Sequence, residues 1–107
     1  MKYKVNLTQA ALNDLYVINE YYLAQVSDGV ASGILHSIQS SIQKLTDLLE
    51  RGSIPKELLI TGMTRYRQIM FSVYRIIYRV EGNRVYVVMV IDGRRDVASA
   101  LMRRQLM

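Results

Sequence analysis

Residues 63–107 hold nine arginines, no lysine and three acids, whereas residues 1–62 are close to charge-balanced. Five of these arginines (Arg67, Arg75, Arg79, Arg94 and Arg95) lie within or just after runs that read as strands, where they could converge on one patch. A guanidinium fork grips phosphate or carboxylate oxygens two at a time and keeps its charge at any physiological pH. The chemistry this implies is anion binding: nucleic acid, phosphate or an acidic protein segment. The competing reading is structural pairing with Asp92, Asp96 or Glu81, although the arginines outnumber these three local acids.

Other chemistry has less support. His36 is the single histidine, and no companion acid is evident for acid–base work. Asp92 and Asp96 flank Gly93-Arg94-Arg95 and could act as paired carboxylates, but a strand-ending turn and a helix cap explain both more simply. The tyrosines at 66, 74, 78 and 86 occupy strand positions and read mostly as sheet packing, with base stacking the lesser alternative. The absence of cysteine excludes a disulfide framework, a thiolate zinc site and a cysteine nucleophile. No phosphate-cradling GxxxxGK[ST] and no metal-ligand cluster stands out, so no metal and no cofactor is expected. The segment MKYKVNLTQ lacks the apolar core of a signal peptide, and no stretch approaches the roughly 18 uncharged apolar residues of a membrane span. The expectation is a soluble, cytoplasmic protein with no membrane partner, forming a single domain over residues 1–107.

These residues must be carried by a small set of elements. Tyr3–Leu7 alternates as a short strand, and Thr8 can cap a helix starting at Gln9 with Ala11, Leu15, Ile18 and Tyr22 on one stripe. Ser27-Asp28-Gly29 reads as a turn, followed by a helix from Val30 to Glu50 with Ile34, Ile38, Ile42, Leu45 and Leu49 on one face. Arg51-Gly52-Ser53-Ile54-Pro55 ends it, with Gly52 as cap, and residues 53–64 read as irregular, bending at Gly62. Tyr66–Phe71, Tyr74–Glu81 and Val85–Asp92 are strands rich in Val, Ile, Tyr and Phe, the last two joined by the Glu81–Arg84 turn. In the middle strand Tyr74, Ile76, Tyr78 and Val80 share one face, and Arg75, Ile77 and Arg79 the other. The last strand is apolar on both faces and belongs inside the sheet. Asp96 can cap a final helix, Val97–Gln105, with Val97, Ala100, Leu101 and Arg104 on one side. The sum is an α+β domain: N-terminal strand, helical hairpin, an antiparallel sheet of about three further strands, and a short C-terminal helix. One sheet face should carry the hairpin, and the other should present arginines among apolar residues.

The block Tyr66-Arg67-Gln68-Ile69, then Tyr74–Val80, then Val87–Ile91 leading into Asp92-Gly93-Arg94-Arg95-Asp96, resembles the RelE/ParE superfamily of bacterial type II toxins. The opening LTQAALNDLYVINEYY is similar to that family's first helix, so the resemblance spans nearly the whole chain. It implies a toxin neutralised by an acidic, partly disordered antitoxin. One branch of the family cleaves messenger RNA on the ribosome; the ParE branch poisons DNA gyrase. For a nuclease, the resemblance assigns phosphate contacts to Arg75 and Arg95, but its lysines would fall near Arg67 and Gln68 or Ile69, and its tyrosine at Leu101. No lysine follows Lys56 and no tyrosine follows Tyr86. Arginine is a poor proton shuttle because its pKa is too high. A nuclease here would need a rearranged site, with Tyr66 or Tyr74 beside Arg75 and Arg95.

The ending GRRD-x₄-L-M-x-R is similar to the ParE branch, where gyrase, alone or with its bound DNA, would be held by binding rather than by chemistry. That reading needs no enzyme. It assigns Arg67, Arg75, Arg79, Arg94 and Arg95 to the target or anion surface. Val97, Leu101, Arg103 and Arg104 become a tail that meets antitoxin or target, its apolar side docked on the sheet or replaced by antitoxin. The alternatives are the ribosome-dependent endoribonuclease, and a non-toxic relative that retains only antitoxin binding.

Overall fold

A computed structural model of the chain describes residues 3–47, 52–62 and 64–105. The elements run β1 (Lys4–Leu7), α1 (Gln9–Gln25), α2 (Asp28–Gln43), a 3₁₀ turn (Lys44–Thr46), α3 (Lys56–Thr61), β2 (Tyr66–Phe71), β3 (Tyr74–Glu81), β4 (Arg84–Asp92) and α4 (Val97–Gln105). Side-chain oxygens start both long helices: Thr8 accepts from Ala11 N–H and Ser27 from Val30 N–H, each at 3.2 Å. The Ser27 cap explains why α2 opens at Asp28 rather than Val30, with Gly29 inside its first turn. Helix α2 also ends earlier than its apolar period suggests, passing into the 3₁₀ turn, where Leu45 is still buried. Leu49, Glu50 and Arg51, placed in or at the end of this helix by the sequence, lie outside the described residues.

The four strands form one sheet in the order β1-β4-β3-β2. The strand with two apolar faces, β4, is central: β3 pairs with it antiparallel and β1 pairs with it parallel, Val5 beside Val85 and Leu7 beside Val87. Helices α1 and α2 cover one face through Ala11, Leu15, Ile18, Ile38 and Ile42, packed on Ile76, Tyr78, Val85, Val87 and Val90. The other face is covered as well, by Leu58 of α3 and Val97, Ala100 and Leu101 of α4 over Ile77, Met89 and Ile91. The expectation of a face presenting arginines among apolar residues is therefore corrected. A β-bulge contributes: Ile77 pairs with Met89 but Tyr78 pairs with Val87, leaving Val88 extra, so Val88 and Met89 both join the α3/α4 side.

Helix α3 replaces the irregular connection expected over residues 53–64. Pro55 sets its entry and Gly62, at φ +79°, closes it in the left-handed conformation, which matches the bend expected there. It is too short for an apolar period to reveal it. Residues 48–51, which Gly52 was expected to cap, lie outside the described residues; Gly52 itself has a packing role. A Cβ there would collide with the buried Tyr78 hydroxyl and lie 2.7 Å from Gln68 C=O. The close approach lets Ser53 bridge to Gln68 along the outer edge of β2.

Candidate functional site

The register sorts the arginines. Arg67 pairs across strands with Tyr78, and Tyr66 with Arg79, so Arg67 stands on the α1/α2 face while Arg75 and Arg79 stand on the α3/α4 face. One patch containing all three does not form. Arg67 donates to Gly52 C=O at 3.1 Å, fastening the segment before α3. Arg79 donates to Glu81 at 3.0 Å and stacks over the Tyr86 ring, 5.1 Å from its centroid.

Arg75 is the most constrained of the set. Its Nη1 donates to both carboxylate oxygens of Glu57 at 2.9 Å, and its Nε donates to Gly93 C=O at 3.0 Å. Glu57 also accepts from Val97 N–H at 3.1 Å, the start of α4. One carboxylate thus ties α3, β3 and α4 together. Burial raises the Glu57 pKa more than any other single influence. Hydrogen bonds from its own amide, Val97 N–H and Arg75 outweigh that together and hold the carboxyl below its ordinary value.

Asp92 and Asp96 do separate jobs. Asp92 accepts from the Arg94 amide, Nε and Nη2 at 2.9–3.0 Å, which lowers its pKa. Asp96 accepts from Ser99 Oγ at 2.6 Å and Ser99 N–H at 3.2 Å, capping α4 and lowering its own pKa. The turn-and-cap reading of this acid pair holds. Arg94 keeps 92% of its side chain exposed despite its contact with Asp92. Arg95 and Arg103 are exposed, and their side chains form no ion pair with the other described residues.

Arg104 does not reach outward with the tail. It grips the Asp14 carboxylate at 2.6 and 2.7 Å and donates to Val88 C=O, while Asp14 accepts from Val90 N–H at 2.9 Å. Val97 and Leu101 are buried in the core under α4. Neither Glu57 nor Asp14 stood out in the sequence, because each is a single acid whose partner lies far along the chain. Glu57 lies in the first turn of α3, where a carboxylate suits the helix N-terminus, but that helix is itself too short to read from the sequence.

A groove of about 720 Å³ opens at the end of the sheet, lined by Tyr21, Tyr22, Met70, Val73, Tyr74, Asp92, Gly93 and Arg94. Here the Tyr74 hydroxyl donates to Tyr22 at 3.2 Å. Burial first, then that hydrogen bond, pushes the Tyr74 pKa well above its ordinary 10.0, so Tyr74 is no proton acceptor near neutrality. It also stands on the α1/α2 face, away from Arg75. Among the described residues no group of three His, Asp or Glu side chains could hold a metal ion. None of their helices is long and apolar enough to cross a membrane. At the Gly93–Arg95 corner the exposed Arg94 guanidinium stands among the apolar side chains of Met70 and Val73.

The fold recurs in solved bacterial proteins. A chromosomal ParDE toxin–antitoxin system from P. aeruginosa aligns with 85% of this chain and 96% of its own, at 17% identity and a TM-score of 0.73. The RelBE2 toxin–antitoxin complex from Mycobacterium tuberculosis aligns with 86% and 99%, at 18% identity and 0.63. Isolated E. coli RelE toxin aligns with 98% and 99%, at 16% identity and 0.51. These likenesses bear on the fold. No curated protein sequence matches the chain. The family model described as the ParE toxin of the type II toxin–antitoxin system parDE matches residues 5–97, from β1 to the start of α4. By that match, this chain belongs to the ParE toxin family of type II toxin–antitoxin systems.

Proposed function

We propose that this chain is a cytoplasmic growth-inhibiting toxin that poisons DNA gyrase by binding, and that a cognate acidic antitoxin neutralises it. The observation that carries this reading is the state of Arg75. The arginine assigned to phosphate contact in a nuclease of this superfamily is instead held by the Glu57 carboxylate and Gly93 C=O. At the position where such a nuclease would place its tyrosine, Leu101 is buried under α4. Tyr74 keeps its proton, and Tyr66 is buried with its hydroxyl accepting from Arg65. Cleavage by 2′-hydroxyl attack needs a proton acceptor, and none of these groups supplies one. Binding needs only the surface. Arg94 lines the sheet-end groove, with Tyr21, Met70 and Val73 as apolar neighbours, and the next residue, Arg95, is exposed. Such a mixture suits a protein target that carries anionic groups, and the tight turn held by Asp92 keeps the corner rigid.

The protein purified free of antitoxin should inhibit gyrase supercoiling or accumulate cleaved DNA, with ribosome-bound messages left intact. Codon-specific cleavage of such messages beside untouched gyrase would overturn the proposal.

A further inference from the structure

Helices α3 and α4 leave open the end of their sheet face beside the β3–β4 turn. Strand register lays two rows of side chains across it. Lys4 of β1, Arg84 of β4 and Glu81 of β3 stand side by side in the outer row. The inner row runs Asn6, Tyr86, Arg79 and Tyr66 through all four strands. Between the rows Val5, Val85 and Val80 turn the other way, into the α1/α2 core. Arg65, the residue before β2, folds back over the Tyr66 ring, 5.2 Å from its centroid. Four cations (Lys4, Arg65, Arg79 and Arg84) thus share this surface with one carboxylate, Glu81, which already accepts from Arg79. Lys4, Arg65 and Arg84 are exposed and form no ion pair with the other described residues.

We infer that this end of the sheet binds the phosphate backbone of duplex DNA. Four cations against one acid leave a net +3, which attracts a polyanion. An acidic antitoxin segment would match the charge but not the composition. Protein partners are anchored by apolar side chains, whereas DNA interfaces are more polar and more cationic. The large apolar side chains that the fold exposes, such as Tyr16, Ile60 and Val73, lie outside both rows. Single strands are disfavoured too, because they are held by bases stacking on free aromatic rings. Both rings here are already occupied by guanidinium groups, Arg65 over Tyr66 and Arg79 over Tyr86. A duplex offers its phosphates and needs charges held at fixed spacing. Four adjacent strands spread these cations over a width of roughly 14 Å. The surface lies about 24 Å along the sheet from the Gly93–Arg95 corner, so one chain can hold a protein and DNA together. DNA binding here does not require that gyrase be the target.

Fluorescence anisotropy of a labelled duplex of roughly 20 base pairs, with the full antitoxin-free chain in about 50 mM salt, should show micromolar binding. The slope of log affinity against log salt should be about −3, as for roughly three neutralised phosphates. Lys4→Gln with Arg84→Gln, both at exposed positions, should keep the melting curve, weaken binding about tenfold and bring the slope to about −1. Glu81→Gln should instead tighten binding several-fold, a gain that a damaged fold does not produce. Arg94→Ala with Arg95→Ala removes the same charge at the far corner and should leave affinity and slope nearly unchanged. A chain that does not bind the duplex at that salt would overturn the inference. So would equal losses in the two double variants, tighter binding to single-stranded RNA of the same length, or a Lys4/Arg84 loss confined to antitoxin binding.

Discussion

Arg104 in the last turn of α4 and Asp14 in α1, ninety residues apart, close the open edge of the central strand. β1 accompanies β4 only as far as Val87, where Thr8 N–H takes the Val87 carbonyl. Past that point Val88 C=O and Val90 N–H would face outward unpaired. Arg104 donates to the first, Asp14 accepts from the second, and the two side chains pair with each other. A short edge strand is thus completed by an ion pair, which also fastens α4 to the hairpin side of the molecule.

Removing either partner should be costly, because the other charge stays partly buried with a backbone group exposed beside it. Arg104→Ala is expected to destabilise the fold by about 2 kcal/mol, as is Asp14→Ala. The double variant should cost clearly less than the two single losses combined, since the partners act as a unit. Urea titration of the four proteins checks this. Additive losses would show that the two residues act independently.

Arg94→Ala with Arg95→Ala should behave in the opposite way. Both side chains are exposed, so stability should move by no more than about 0.5 kcal/mol. Growth inhibition should fall, because Arg94 rims the groove proposed to meet the target and Arg95 adds an exposed charge next to it in the chain. The readouts are a thermal melt and induced growth in cells without antitoxin. Unfolding of the double variant would instead assign these arginines to the fold. Arg75→Ala cannot separate the two roles, since it also strands Glu57.

The sequence made the architecture legible because long elements carry period. The α1 stripe, the two-faced apolar run of β4, and the Asp96 cap before α4 all appear where pattern and capping place them. Helix α3 escaped because six residues cannot display a helical period, and its start is marked by a proline that reads equally well as a loop. The arginines were legible as a composition but not as a surface. Strand register decides which face each one takes, and Arg67 falls opposite Arg75 by a one-residue parity no composition can show. Their partners were hidden for a different reason. Glu57 and Asp14 sit 18 and 90 residues from the arginines they hold, and ion pairs leave no local spacing.

Gly52 supplies a test of how α3 is positioned. A methyl group there has no free space, because Gln68 C=O is backbone and Tyr78 is fully buried. Neither can step aside cheaply, so Gly52→Ala should cost about 1–3 kcal/mol through overpacking. The strain would fall on the Ser53–Gln68 bridge and on Arg67, which donates to Gly52 C=O. Amide exchange should therefore quicken at Ser53 and Gln68 before it does in β3 or β4. A variant as stable as the parent would mean that this approach is looser than described.

Glu57 ties stability to acid. Its carboxyl lies below the ordinary value of 4.5 in the folded chain, so the unfolded chain binds this proton more readily. Its contribution is present in full above about pH 5 and is lost as pH falls through 4.5 towards the folded pKa. Asp92 and Asp96, also lowered from 3.8, act with the same sign at a slightly lower pH. The melting temperature should therefore fall steeply below pH 4.5 and stay level from about pH 5 to 7. Glu57→Gln should lower stability at neutral pH by about 2 kcal/mol, because the Arg75 charge loses its partner while most of the packing remains. The same variant should be less acid-sensitive, converging on the parent at low pH, where the parent's own Glu57 is protonated. Because Glu57 also accepts from Val97 N–H, amide exchange at the start of α4 should quicken in step with that loss. Parallel acid profiles for parent and variant would remove Glu57 from the linkage and leave the two aspartates to account for it.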